Sequence, residues 1–156
     1  MTVYREVAPG IDEWSSEKGQ LRIWSPGRGM VATRVRGFVD RRLIVHFMEP
    51  ITRILTTGHR FTAFHDWEGI TGYESDVRLR IAAWGARFVR QIDKITVLVA
   101  AESSLLRMAI SVTNVAMGGT VEMVYDRARF EAEYERVTKQ IWTAGPGPVS
   151  LRPRAP

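Results

Sequence analysis

The chain has 156 residues, no cysteine, 45% hydrophobic and 25% charged residues, and a formal net charge of +5. That size and balance predict one globular domain able to bury its own core. The missing cysteine excludes disulfide, thiol and iron–sulfur chemistry. The longest apolar runs, such as Val97-Leu98-Val99-Ala100-Ala101, are far too short to span a membrane, and Met1 to Glu6 holds no signal-peptide core, so a cytoplasmic soluble chain is expected.

In chain order, Val3 to Val7 alternates weakly and reads as a short edge strand before Pro9-Gly10. Gln20–Trp24 and Met30–Val39 read as strands, joined into a hairpin by Ser25-Pro26-Gly27-Arg28-Gly29. Asp40 is placed to cap a helix whose apolar residues Leu43, Ile44, Phe47, Met48, Ile51, Ile54 and Leu55 recur at helical spacing. Pro50 predicts a kink in that helix; the competing reading makes Leu43–Met48 a strand and starts the helix at Glu49.

Further along, Arg60–Asp66 alternates as a strand, Glu74–Ile92 is helical and Lys94–Ala101 has the β-branched apolar pattern of a strand buried on both faces. A helix capped by Ser103 or Ser104 follows, with Leu106, Ala109, Ile110, Val112, Thr113 and Met117 on its core side and Gly118-Gly119 ending it. Thr120–Tyr125 is a strand, and Asp126 caps a last helix through Ile141. This order implies an α/β domain over residues 1–142, with a mixed, mostly parallel sheet of about five strands and four helices. Residues 143–156, rich in Pro, Gly and Arg, read as a flexible tail.

The charge is concentrated. Residues 28–60 carry seven arginines against Asp40 and Glu49, whereas the segments on either side are close to neutral. No helix-turn-helix, zinc-finger or RNP-type pattern accompanies this stretch, so nucleic acid is not the expected partner. No P-loop, nucleophile elbow or His-Glu-x-x-His motif is present, and neither a cofactor nor a metal site is expected. His65 and Asp66, at a predicted strand end, are the one pair that could move a proton, but neighbours on a strand face opposite ways.

The segment Asp66 to Asp76 holds the candidate functional residues. As a loop before a helix it would offer Asp66, Trp67, Glu68, Tyr73, Glu74 and Arg78 to a partner or ligand. Ser75 would sit at the helix N-terminus, where free N–H groups favour an anion, while Glu74, Ser75 or Asp76 could equally be its cap.

These residues carry a resemblance. The strand–helix order, with Asp66 closing one strand and Glu74-Ser75 opening the next helix, resembles the STAS domain (sulfate transporter and anti-sigma-factor antagonist). Asp66-Trp67, Tyr73 with Arg78 and Trp84, Val97-Leu98-Val99, Met108 to Val112, and Tyr125-Asp126-Arg127 with Phe130 look like its small bacterial STAS-like or CRAL-TRIO-like lipid-carrier relatives. The likeness covers about residues 20–141. It implies a non-enzymatic regulatory module with a protein partner and makes Ser75 the phospho-acceptor, with Glu74 replacing the family's Asp. Asp76 and Val77 depart from the small residue and glycine that follow the serine in that family. The carrier-like relatives imply instead an apolar or lipid ligand. Either way, the first hairpin or the Asp40 helix could pair two copies.

Overall fold

The computed structural model describes residues 1–144 and Leu151. Seven strands form one sheet in strict chain order: β1 Val3–Ala8, β2 Ile11–Ser15, β3 Gly19–Gly27, β4 Met30–Val39, β5 Phe61–Tyr73, β6 Ile92–Leu98 and β7 Val121–Val124. β1 to β4 are an antiparallel meander, and β4 to β7 pair in parallel. The helices are α1 Arg41–Leu55, α2 Val77–Arg87, α3 Ser104–Ala116 and α4 Arg127–Ala144, with a short 3-10 turn at Val89–Gln91. The α/β class, the mixed sheet and four helices are as the sequence predicts. β1 matches the weak alternation at Val3 to Val7, and β2, which no sequence pattern marks, pairs with it as a hairpin and completes the seven strands.

α1, α2 and α3 lie on one face of the sheet. Their inward residues Leu43, Phe47, Ile51, Val77, Leu106 and Ile110 join Leu21, Val31, Val35, Ala63, Ile95 and Val97 in the main core. α4 alone covers part of the other face, closing Phe130, Tyr134, Val137 and Ile141 over Met30, Phe64, Leu98 and Val124. Among the described residues, no other helix lies over that second face.

Local chemistry explains the starts. Asp40 accepts from the Leu43 backbone N–H at 2.8 Å and Asp126 from that of Arg129 at 2.7 Å, satisfying donors that a helix leaves unpaired. α1 is a single helix containing Pro50, so the helical reading of Leu43–Met48 holds over the strand reading. Its buried Pro50 and Ile51 continue the apolar stripe, and Thr52 ties it to α2 by accepting from Trp84 Nε1 at 2.8 Å. Gly37 permits the irregular β4–β5 pairing: its φ is 78°, and a Cβ there would lie 2.4 Å from the Lys18 carbonyl oxygen.

Several boundaries and one core assignment differ from the sequence reading. β5 does not end at Asp66 but runs to Tyr73, because Gly69, Ile70, Gly72 and Tyr73 pair in parallel with Arg36, Gly37, Phe38 and Val39. α2 starts at Val77 and ends at Arg87, and β6 begins at Ile92. Val112, expected in the core, is 53% exposed. α4 includes Thr143 and Ala144; of the segment beyond, Leu151 is described, buried against the main core with Arg53 donating to its carbonyl at 2.8 Å, and the rest of the expected tail lies outside the described residues.

Candidate functional site

β5 distributes the expected site residues between two faces of the sheet. His65 and Trp67 point toward the three-helix side and Asp66 and Glu68 toward the other, so the segment is not one loop and His65 and Asp66 cannot share a proton or a ligand. His65, 3% exposed, pairs through Nδ1 with Thr33 Oγ1 at 2.8 Å and stacks on Trp67 with ring centres 5.2 Å apart. Burial holds its imidazole neutral, pushing its pKa down to about 3. It is a core residue.

Asp66 is the centre of a second constellation. Only 3% exposed, it receives Arg34 at 3.0 Å, Arg36 at 2.9 Å and Arg127, the first residue of α4, at 3.2 Å. Arg127 also reaches Glu68 and Glu131. Burial alone would raise the Asp66 carboxyl, but the hydrogen bonds and charge of Arg36 and Arg127 outweigh it and hold it below its usual range. Gly69 makes room: a Cβ there would meet Arg36 Cδ at 2.1 Å.

Register shows that Asp66 ends a transverse row. Arg5 lies opposite Glu13, Glu13 opposite Arg22, Arg22 opposite Arg34, and Arg34 opposite Asp66. Glu13 is fully buried between Arg5 and Arg22, whose hydrogen bonds overcome its burial and keep its carboxyl low. The like charges Arg22 and Arg34 tolerate each other because each has its own carboxylate. The row continues as Leu98 and Val124 beneath α4. The sequence reading missed it, since nothing local says which strands are neighbours.

The arginines of residues 28–60 are therefore not one patch. Arg34 and Arg36 clamp Asp66, Arg41 pairs with Glu74 and Asp76, Arg53 holds Leu151, and Arg60 pairs with Asp93.

The turn before α2 brings Glu74, Ser75 and Asp76 together. Glu74 N–H donates to the Val39 carbonyl at 3.0 Å, and Glu74 Oε2 accepts from the Arg41 backbone N–H at 3.1 Å. Glu74 thus serves the N-terminus of α1 rather than capping α2. Asp76 occupies the α2 cap position but makes no capping hydrogen bond, accepting instead from Arg41 and Arg80 at 3.0 Å each. Both neighbours are tied down, and Ser75 between them is exposed. Tyr73 reaches the Leu105 carbonyl at 3.4 Å.

Three clefts among the described residues bear on the site. The apolar one, about 90 Å³, lies between the sheet and α1–α3 and is lined by Phe47, Trp67, Ile81, Trp84, Ile110 and Met117. Arg78 lines it with no ion-pair partner among the described residues, and Trp67 Nε1 is shielded from solvent without a hydrogen-bond partner. A second, about 250 Å³, separates α4 from the open sheet beside Trp24, Arg34, Asp66, Arg127 and Tyr134. The third, about 330 Å³, lies under α4 between Lys94, Glu122, Arg129, Glu133 and Arg136, whose charges pair among themselves, above buried Thr96.

No family model and no curated protein matches the chain. Among solved structures it is similar to a protein of Shewanella loihica PV-4 from the DUF3478 family with a SpoIIAA-like fold, at 16% identity and a TM-score of 0.55 over 76% of this chain and 97% of that one. It is also matched, at 13% identity, by the Bacillus cell fate determinant SpoIIAA in its phosphorylated form, with a TM-score of 0.49 over 88% of this chain and 99% of that one. The anti-sigma factor antagonist SpoIIAA in its unphosphorylated form gives 0.45, also at 13% identity, over 89% and 97%.

Proposed function

We propose that this chain, whose fold is SpoIIAA-like, is a non-enzymatic regulatory module that binds a protein partner through the turn preceding α2, with Ser75 as the residue whose modification governs binding. The observation that carries this is exposed Ser75 on a turn pinned from both sides by Val39, Arg41 and Arg80. A pinned turn loses little conformational freedom on docking. Glu74 and Asp76 would repel a phosphate on Ser75, but Arg41 already bridges both carboxylates and Arg78 follows in the first turn of the helix, so the local charge is balanced. The Glu74-Ser75 step, at the place where STAS domains carry Asp-Ser, supports the same reading. Phosphopeptide mass spectrometry of the protein from its own cells is expected to find phosphate on Ser75, and to find none in Ser75→Ala; a Ser75 unmodified under all growth phases sampled would count against the regulatory role.

A second reading, a small apolar ligand, is favoured by the cleft that Arg78 and Trp67 line. Its two unpaired donors suit a carboxylate on an apolar body. At about 90 Å³ it is smaller than the roughly 150 Å³ cavity that holds benzene and well below the roughly 300 Å³ of ordinary ligand sites, so a long acyl chain would have to part the helices. Native mass spectrometry with organic extraction tests this: a bound small organic acid lost in Arg78→Ala supports it, and consistently ligand-free protein removes it.

A further inference from the structure

α3 is apolar on both sides. Leu106, Ala109 and Ile110 face the core, yet Leu105 (57% exposed), Met108, Val112 and Val115 (83%) face outward. At 3.6 residues per turn these four fall within about a quarter of the helix circumference and make one stripe along three turns. The neighbouring α2, whose Gly85 admits Met117 from the end of α3, adds exposed Leu79 with Ala83 and Ala86 on its outward side. Of the eleven exposed large hydrophobic residues among those described, five thus lie on these two adjacent helices. None of the five lines the three clefts above.

Within α2 and α3 every charge is positive, and the nearest carboxylates in the chain, Asp76 and exposed Glu102, precede the first residue of each helix. α2 carries Arg78, Arg80 and Arg87 and α3 carries Arg107, with no carboxylate within either helix. Arg80 is paired with Asp76, but Arg78, Arg87 and Arg107 enter no ion pair among the described residues, and Arg107 Nε is shielded without a hydrogen-bond partner. A second copy on this face would set arginine against arginine across an apolar contact, a like-charge arrangement that costs affinity. An anionic occupant removes that cost. Apolar side chains flanked by cations are the pattern by which a helix lies in the headgroup region of an acidic membrane, its hydrocarbon in the acyl boundary and its arginines at phosphate level.

We infer that the α2–α3 face docks the protein peripherally on an anionic lipid surface. No helix among the described residues is long and apolar enough to cross a membrane, and this mode needs none. The contact is reversible: a short rigid stripe with a few arginines gives weak adsorption, each arginine contributing about fivefold in partition.

Co-sedimentation of the full chain with phosphatidylcholine vesicles, with and without about one-third phosphatidylglycerol, tests this. The wild type is expected to bind the anionic vesicles and not the neutral ones, with binding reduced at least about tenfold between roughly 0.1 and 0.5 M salt. Met108→Asp with Val112→Asp, both at exposed positions, should reduce binding at least about tenfold, as should Arg87→Glu, while Val3→Asp on the distant β1 leaves it unchanged. Circular dichroism melts check that the variants fold. If the double variant does not fold, Met108→Ser and the wild-type salt dependence decide. No sedimentation with anionic vesicles overturns the inference, and so does binding that all the α2–α3 variants retain. Dimerisation in size-exclusion chromatography that Met108→Asp abolishes, without vesicle binding, assigns the face to a second copy and equally overturns it.

Discussion

Acidification from pH 7 to pH 4.5 is expected to lower the unfolding free energy by about 3 kcal/mol, mostly through His65. In the unfolded chain this imidazole takes a proton near its ordinary pKa of 6.5, whereas burial keeps it neutral in the fold down to about pH 3. Between those values the unfolded state binds one more proton, so stability falls as pH falls, by about 1.4 kcal/mol per pH unit. His46, partly buried and stacked on Trp14, has its pKa lowered by burial and adds to the slope in the same direction. The paired carboxylates add little to the loss above their ordinary values, 4.5 for Glu13 and 3.8 for Asp66, and most of it below them. Urea unfolding at half-unit pH steps measures the slope, and His65→Phe should retain only the His46 share. A wild type equally stable at pH 7 and 4.5, or a slope unchanged in His65→Phe, would show that the ring is not held neutral in the core.

Asp66→Ala should cost about 3 kcal/mol, or roughly 6–12 °C in melting temperature for a chain of this size. Its removal leaves Arg34, Arg36 and Arg127 facing one another with Glu68 as the remaining nearby carboxylate on the sheet, and releases the first residue of α4 from β5. The figure lies at the lower end for breaking a buried ion pair because the three guanidinium groups are themselves a third or more exposed. Arg36→Ala alone should cost less, since two cations remain on Asp66. The Asp66 contribution has its own pH signature. The folded carboxyl is held below its ordinary value, so this stability is fully present above about pH 4 and is lost as pH falls through the lowered folded value. A cost under about 1 kcal/mol for Asp66→Ala, with the melting curve otherwise intact, would mean that the clamp does little for the fold.

What the sequence made legible was what depends on local periodicity and capping. Asp40 and Asp126 cap as their positions suggest, the α1 stripe runs in phase across Pro50, and the strand–helix alternation yields the parallel half of the sheet. What it concealed depends on neighbours distant in the chain. Trp67-Glu68-Gly69-Ile70-Thr71-Gly72 has the composition of a turn, yet pairing with Arg36 to Val39 extends it as strand, and its glycines make space for the Arg36 and Phe38 side chains. Glu13 lies outside every element read from the sequence, yet it is buried because Arg5 and Arg22 flank it across two strands. His65 and Asp66 are adjacent in sequence and separated by the thickness of the sheet. Val112 fits the α3 core stripe by spacing, but the sheet is already covered by Leu106, Ala109 and Ile110, so it turns outward.

These corrections narrow the candidate site. Of the segment from Asp66 to Asp76, Asp66 and Glu68 belong to the clamp under α4, and Trp67 belongs to the core. Glu74, Ser75 and Asp76 remain as a turn in which Ser75 is exposed, with Arg41 and Arg80 around it.

The most direct measurement is quantitative co-precipitation from the protein's own cells with the wild type, Ser75→Asp, and the distant control Glu135→Lys on α4. A regulatory turn predicts at least one protein recovered by the wild type and by Glu135→Lys that falls about tenfold or more with Ser75→Asp, a change of roughly 1.4 kcal/mol in binding. Recovery of the same proteins in the same amounts by all three would contradict it.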